Sequence, residues 1–195
     1  MPKMYPGYRE EVAMKIVAEA SALFMEKGYS ATTMDDIATR LGVTKAAIYQ
    51  YHKSKVDLFA AVAGFQRQEL AGMLQRSFEG RAVMEGASEL FDSLLDYINR
   101  SREMYSDVMA VAVHNETIRM ILLEDRLGDL AVIEHFIVGQ KEKRLIHSSI
   151  DSRILAVTCD ALITGLMFDV MIGMDPAEAK QIWLNAVDDL LRVHE

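Results

Sequence analysis

The sequence predicts an all-α protein, and three observations support this fold class. Half of the 195 residues (51%) are hydrophobic, whereas the chain contains only three prolines and 8% aromatic residues. Ala, Leu, Met and Glu, which favour helices, are abundant. Apolar residues recur at helical spacing in several segments, and no convincing run alternates with the period of a β-strand. A chain of this length can form one or two domains with a sizeable core.

Capping signals delimit the helices predicted in the first 80 residues. An apolar stripe from Val12 to Phe24 predicts the first helix, and Gly28 can adopt the positive φ that ends it. A Ser or Thr followed three residues later by an acid has the spacing of a capping box. Two such pairs mark the starts of further helices, namely Thr33 with Asp36 and Ser54 with Asp57.

Beyond Gly80 the apolar periodicity predicts five more helices, at about 83–101, 104–113, 116–140, 151–173 and 176–194. Asp151 is placed to cap the fourth of these helices. The dipeptide Asp175-Pro176 marks the start of the last one, because proline fits the first helical turn.

The apolar run from Ile154 to Gly173 is long enough to resemble a membrane span. Asp160 and Asp169 lie within it, and each would cost about 2.5–3.5 kcal/mol near the centre of a bilayer. We therefore interpret this run as a buried helix and expect no membrane partner.

The composition argues against several classes of protein. A single cysteine, Cys159, rules out a disulfide framework and a cysteine-based zinc site. The five histidines lack the spacing of a helical metal site, and neither a glycine-rich phosphate loop nor a nucleophile elbow is present. We expect no enzymatic activity, no cofactor and no metal. The lack of a secretory signal, together with thirteen methionines and one cysteine, favours the cytoplasm.

The charge is unevenly distributed along the chain. The net charge is −8, which alone would argue against nucleic acid as a partner. Residues 1–60, however, contain eight Lys or Arg and seven Asp or Glu, so that the remainder carries −9. Between Thr39 and Val56 there are four basic residues and no acidic one. This local basic segment on an acidic protein is compatible with DNA binding.

Residues 33–52 have the pattern of a helix-turn-helix. Small Ala38 allows two helices to cross closely, and Gly42 suits a turn that needs positive φ. The second helix starts at Thr44 and has a polar, basic outer face. Apolar residues can fill the wedge between the helices, namely Ile37, Leu41, Val43 and Ile48. A helical hairpin that only packs is the alternative interpretation.

The sequence resembles the TetR family of transcriptional regulators over about residues 8–60. Three segments carry the resemblance: GYSATTMDDIA (28–38), LGVTKAAIYQY (41–51) and KSKVDLF (53–59). The chain departs from the family at His52, where a phenylalanine is usual. The resemblance implies an N-terminal three-helix DNA-binding domain (1–55) and a C-terminal helical domain for ligand binding and dimerisation (56–195). Helix 55–79 would join the two.

Ten residues are candidates for contact with double-stranded DNA. Tyr49 resembles the family's phosphate-contacting tyrosine and Lys55 its phosphate-anchoring lysine, and Thr33 at a helix N-terminus can donate to a phosphate. Candidates to read base edges are Thr44, Lys45 and Gln50. The other four are Ala46 and Ala47, which let the backbone approach the groove, and Tyr51 and His52, which fit either role. Residues Lys3, Tyr5, Tyr8 and Arg9 form either an arm on the DNA or a frayed tail.

The resemblance also implies a homodimer. Two long apolar helices, 151–173 and 176–194, suit a four-helix interface with a second copy. Candidate interface residues are Ile154, Ala161, Gly165, Ile182, Trp183, Ala186 and Leu190. Such a dimer would present two recognition helices roughly 34–36 Å apart and would read a pseudo-palindromic operator.

An unidentified small-molecule effector is the other implied partner, and the expected function is a repressor that this effector releases from DNA. The alternatives are a helical dimeric adaptor without operator binding, or an activator. Met and aromatic residues of the middle helices line either an effector pocket or ordinary core. They are Phe91, Tyr97, Met104, Tyr105, Met109, His114, Met120, Phe136, Met167 and Phe168.

Overall fold

The computed structural model describes residues 7–191, which form eight α-helices and no strand. The all-α prediction is therefore confirmed for this part of the chain. The helices are α1 Tyr8–Lys27, α2 Met34–Leu41, α3 Lys45–Tyr49, α4 Lys55–Phe78, α5 Val83–His114, α6 Glu116–Glu142, α7 Ser152–Met171 and α8 Pro176–Leu191.

The predicted capping signals form real caps. At the start of α2 the Asp36 N–H donates to Thr33 Oγ1 over 3.1 Å, and the Thr33 N–H donates to Asp36 Oδ2 over 2.7 Å. The Asp57 N–H donates to Ser54 Oγ over 3.0 Å before α4, and Asp151 caps α7. Short local contacts thus fix where these helices begin.

Helix α5 is a single helix of 32 residues. The prediction of separate helices at 83–101 and 104–113 was wrong. Residues 99–105 contain neither glycine nor proline, and both Ser101 and Met104 are buried, so that packing continues through the expected break. The chain turns instead at Asn115, whose Oδ1 accepts the N–H of Ile118 over 3.1 Å.

The chain divides into two compact units. The first contains residues up to Gln66 together with Arg100–Asp125, and the second contains Arg67–Asn99 together with the residues from Arg126 onward. Helices α4, α5 and α6 each contribute residues to both units. The division at residue 55, made from the sequence, concerns DNA-binding function and stays a prediction.

Each unit has its own hydrophobic core. In the first unit the rings of Phe24, Tyr29 and Phe59 pack with centroids 5.1–6.1 Å apart. In the second unit Phe91 is fully buried, and the Nε1 of buried Trp183 donates to the carbonyl of Ala87 over 2.9 Å. Burial of a tryptophan with its N–H paired makes this a well-anchored core.

Among the described helices, α7 has the length and composition of a membrane span. One side of it is buried in the second unit, and buried Asp160 accepts a hydrogen bond from Arg126 Nη1 over 2.7 Å. Burial raises the pKa of Asp160 above its usual value, and the nearby Arg126 offsets only part of this rise. An ion pair and an apolar face packed on protein favour the interpretation as a core helix.

Candidate nucleic-acid interface

The helix-turn-helix is built by α2, a short turn and α3. Gly42 has φ 67° and ψ 30°, a left-handed conformation that glycine adopts without steric cost. The Val43 N–H closes the turn by donating to the Ala38 carbonyl over 3.0 Å. Thr44 caps α3 by accepting the Ala47 N–H over 3.2 Å. Ile48 is fully buried and holds α3 on the head core, the apolar core of the first unit.

The outer side of α3 is open to solvent. Tyr49 is 44% exposed although it is a large aromatic residue, and the same surface contains further exposed candidates. They are Thr44, Lys45, Ala46 and Gln50, while Ala47 is half-buried. A polar surface with an exposed tyrosine, held by one buried isoleucine, is suited to entering a DNA groove.

Thr33 is exposed at the N-terminus of α2 but is already engaged. Its hydroxyl donates to Asp36 Oδ2 over 2.6 Å, and Lys27 Nζ lies 2.8 Å from the same oxygen. The hydrogen bonds from Lys27 and Thr33 hold the pKa of Asp36 far below its usual range. Asp36 therefore remains a carboxylate at neutral pH, and the phosphate contact of Thr33 stays a prediction.

Acidic residues partly neutralise the expected basic face. Arg40 forms a bidentate salt bridge with Glu26, in which both N–O distances are 2.6 Å. Lys45 Nζ lies 2.7 Å from Asp35 Oδ2, and this hydrogen bond raises the pKa of the lysine. The acids come from α1 and α2, outside the acid-free stretch of sequence. Because these pairs are largely exposed, Lys45 can exchange its partner for DNA at little cost.

Lys55 was expected to contact a DNA phosphate, but its ammonium group binds the protein backbone. Its Nζ donates to the carbonyls of Tyr29, Ser30 and Thr32, over 2.9, 3.2 and 3.0 Å. It also lies 4.4 Å from the centroid of the Tyr29 ring. An ammonium has three N–H donors, and here all three face the loop between α1 and α2. Contact with phosphate would require Lys55 to give up part of this loop, so that the phosphate contact stays a prediction.

The sequence did not indicate Asp107, which contacts the same loop. Asp107 Oδ2 accepts the Ser30 N–H over 2.5 Å, and its Oδ1 accepts the Ser30 hydroxyl over 2.8 Å. The two residues are 77 positions apart. No local spacing signal connects them, so only the tertiary structure reveals the contact.

His52 is not part of the exposed surface, and its assignment to DNA binding was wrong. The residue is 9% exposed, and its Nδ1 lies 3.4 Å from Asp57 Oδ2. It is therefore an interior residue of the first unit. Tyr51 is half-buried on the head core, with the guanidinium of Arg9 5.9 Å from its ring centroid.

The expected N-terminal arm is described only in part. Lys3 and Tyr5 lie outside the described residues, whereas Tyr8 and Arg9 form the first turn of α1.

The predicted dimer residues fall into two groups. Trp183 is 4% exposed and belongs to the core of the second unit, so that its assignment to the interface was wrong. Ile154 is 58% exposed and Ile182 is 38% exposed. Of the other four, Ala161 and Gly165 are exposed, and Ala186 and Leu190 are half-buried.

The ten candidate pocket residues are divided equally between the two units. Within the second unit Phe91 and Met167 are buried, and Tyr97 and Phe136 pack partly against its cores. Met104 is buried in the first unit. Five of the ten are exposed, and their assignment as pocket lining stays a prediction: Tyr105, Met109, His114, Met120 and Phe168.

Comparisons with known proteins agree with this geometry. Residues 16–62 match the family model described as bacterial regulatory proteins, tetR family. The transcriptional activator FasR of Mycolicibacterium smegmatis is 32% identical over 101 residues, which cover 50% of this chain and 45% of FasR. The biofilm-operon negative transcriptional regulator IcaR of Staphylococcus epidermidis is 28% identical over 92 residues, 47% of this chain and 50% of IcaR. The chain thus spans about half the length of each of these relatives.

The fold has counterparts among solved structures. A TetR-family transcriptional regulator from Rhodococcus sp. superimposes with a TM-score of 0.76 at 19% identity, covering 90% of this chain and 96% of that one. At this identity the likeness establishes the fold, while the similarity to the family lies in the matched segment 16–62 and in the relatives. On these grounds residues 16–62 are similar to the DNA-binding segment of the TetR family of bacterial transcriptional regulators, and the fold is similar to that of a TetR-family regulator.

Proposed function

We propose that this DNA-binding regulator is a cytoplasmic homodimer that recognises a pseudo-palindromic operator. The observation that carries the proposal is the exposed face of α3, where Thr44, Lys45 and Gln50 stand beside Tyr49. Lysine can pair with the acceptors of guanine, and glutamine can pair with adenine through two hydrogen bonds. A two-fold dimer would offer this face to two adjacent half-sites.

A stripe of exposed apolar residues along α7 and its C-cap residue, Ile172, supports the dimer. Ile154 is 58% exposed, Phe168 is 56% exposed and Ile172 is 70% exposed. The residues between them on the same stripe are Val157, Ala161 and Gly165, which are also exposed. Their spacing of three or four positions places them along one side of the helix. An apolar stripe with small residues at its centre allows two helices to approach closely.

We propose repression with release by a small molecule as the mode of regulation. Such a ligand would favour a conformer that binds DNA poorly, in proportion to its difference in affinity for the two conformers. IcaR is a negative regulator, whereas FasR is an activator. Because the relatives include both kinds of regulator, mapping the operator relative to the promoter tests whether this chain represses or activates.

Selection of binding sites from a random duplex library, at one stated salt concentration, tests the proposal. A pseudo-palindromic consensus supports a sequence-specific dimer and supplies an operator for screening candidate effectors. Binding no tighter than that of unselected DNA would contradict the proposal and favour the helical adaptor.

The Gln50→Ala variant is expected to change which operators are preferred. Loss of a two-bond contact with a base should cost about 1–3 kcal/mol at one position of the operator and little elsewhere. Repeating the selection with the variant measures this change. Tyr49→Phe is the matched comparison on the same helix, because loss of a phosphate contact weakens all sequences alike. An unchanged consensus for Gln50→Ala would exclude base reading by Gln50.

A further inference from the structure

The loop between α1 and α2 is held by side chains from two other helices. Lys55 of α4 binds its carbonyls, and Asp107 of α5 binds the N–H and hydroxyl of Ser30. Asp107 belongs to the same compact unit as the loop. The loop leads directly into Thr33 and the first turn of α2, so that its position sets the position of the helix-turn-helix.

The backbone of the loop is adapted to the carboxylate. Gly28 has φ 84°, and a Cβ at this residue would lie 3.1 Å from Asp107 Oδ2. Glycine thus permits both the turn and the close approach of the carboxylate. Within the loop the buried Thr32 hydroxyl donates to the Gly28 carbonyl over 2.7 Å. The contact with Asp107 is therefore part of a closely fitted arrangement rather than a chance meeting of surface groups.

We propose that Asp107 is a positioning residue for DNA binding, acting through Ser30 on the entry to α2. The inference depends on the proposed operator binding. It assigns a DNA-binding role to a residue far along the chain from the helix-turn-helix motif. Its charge makes the role distinctive, because a carboxylate on a DNA-binding protein repels phosphate. Loss of that charge should tighten DNA binding on electrostatic grounds, whereas loss of the positioning contact weakens it.

The Asp107→Asn variant separates these two effects. An asparagine amide is uncharged, so that the two charge-assisted hydrogen bonds with Ser30 are replaced by weaker neutral ones. We expect operator binding to weaken about tenfold, as for loss of a charge-assisted hydrogen bond. Ser30→Ala retains the backbone N–H and should weaken binding by roughly threefold. Because the two residues share one contact, their effects should not multiply in the double variant.

Glu103→Gln is the matched control, since Glu103 is an exposed acid one turn earlier on α5. It removes the same charge without touching the loop and should leave operator binding within roughly twofold of the wild type. Affinities are measured on the selected operator, with active protein counted by stoichiometric titration and the salt dependence recorded. An unchanged salt slope with weaker binding supports positioning, because no phosphate contact is lost.

The outcomes distinguish the two proposals. If the wild type binds its selected operator and Asp107→Asn binds as Glu103→Gln does, the positioning role is wrong while the proposed function stands. If the effects of Ser30→Ala and Asp107→Asn multiply, the role of Asp107 does not act through Ser30. If the wild type selects no operator, both proposals are overturned.

Discussion

An Ile154→Glu variant is expected to be monomeric and to bind the operator about a hundredfold more weakly than the wild type. Ile154 is 58% exposed and lies at the start of the apolar stripe on α7. In the proposed dimer, the glutamate would bring an unpaired charge into an apolar interface, which is strongly unfavourable. A monomer has only one recognition helix, so that it binds a single half-site without the contribution of a second one.

The fold of the monomer should survive this substitution. Ile154 does not belong to the buried core of the second unit, and it lies in the first turn of α7, where a negative charge is compatible with the helix dipole. Sedimentation velocity gives the oligomeric state, and operator titration gives the affinity. Val138→Glu on α6 is the matched control, because Val138 is 37% exposed and lies off the stripe. A dimeric Ile154→Glu protein would place the interface elsewhere.

The sequence predicted the local features of the DNA-binding region well. Thr33 with Asp36 forms the expected capping box, and Gly42 adopts the expected left-handed turn. Both signals act between residues within four positions of each other or within one residue's own backbone. Such signals can be read from a sequence because they do not depend on the rest of the fold.

The sequence did not predict burial correctly for residues whose side chains have both a polar and an apolar part. His52 and Trp183 were expected on surfaces, but both are interior. A histidine can lie on a DNA-binding surface or in the interior beside a polar partner. The sequence does not distinguish these positions, and only the structure places His52 in the interior beside Asp57. For Trp183 the ambiguity has another cause. A face that packs on the core and a face that packs on a partner are both apolar, so that helical periodicity does not tell them apart.

Contacts between residues far apart in the sequence could not be predicted either. The acid-free stretch from Thr39 to Val56 was interpreted as a basic face, but Arg40 and Lys45 are paired with Glu26 and Asp35. The contact between Ser30 and Asp107 requires α5 to pack in the first unit, which no pattern in either segment indicates. Charge counted along the chain therefore overestimates the charge that the folded surface offers to DNA.

Lys55→Ala is expected to destabilise the first unit by about 2–4 kcal/mol, because it removes three hydrogen bonds from a charged donor. The carbonyls of Ser30 and Thr32 lose their donor, whereas that of Tyr29 keeps the Thr32 N–H. Desolvation by burial lowers the pKa of this lysine, and the carbonyls of Tyr29, Ser30 and Thr32 compensate for the burial of its charge. Equilibrium unfolding in urea measures the loss of stability. Lys53→Ala is the matched control, since it removes an exposed lysine two residues earlier.

Salt dependence decides between the two roles of Lys55. A lysine that neutralises a phosphate contributes about 0.9 to the slope of log K against log salt concentration, whereas a lysine that binds carbonyls contributes nothing to it. We expect the folded Lys55→Ala protein to bind the operator more weakly with an unchanged slope, because its loop and the start of α2 have moved. If the salt slope fell by about one and the stability were unchanged, Lys55 would be a phosphate contact after all. One ammonium cannot bind three carbonyls and a phosphate at once. We therefore expect Lys55→Ala to change either the stability in urea or the salt slope of operator binding, but not both.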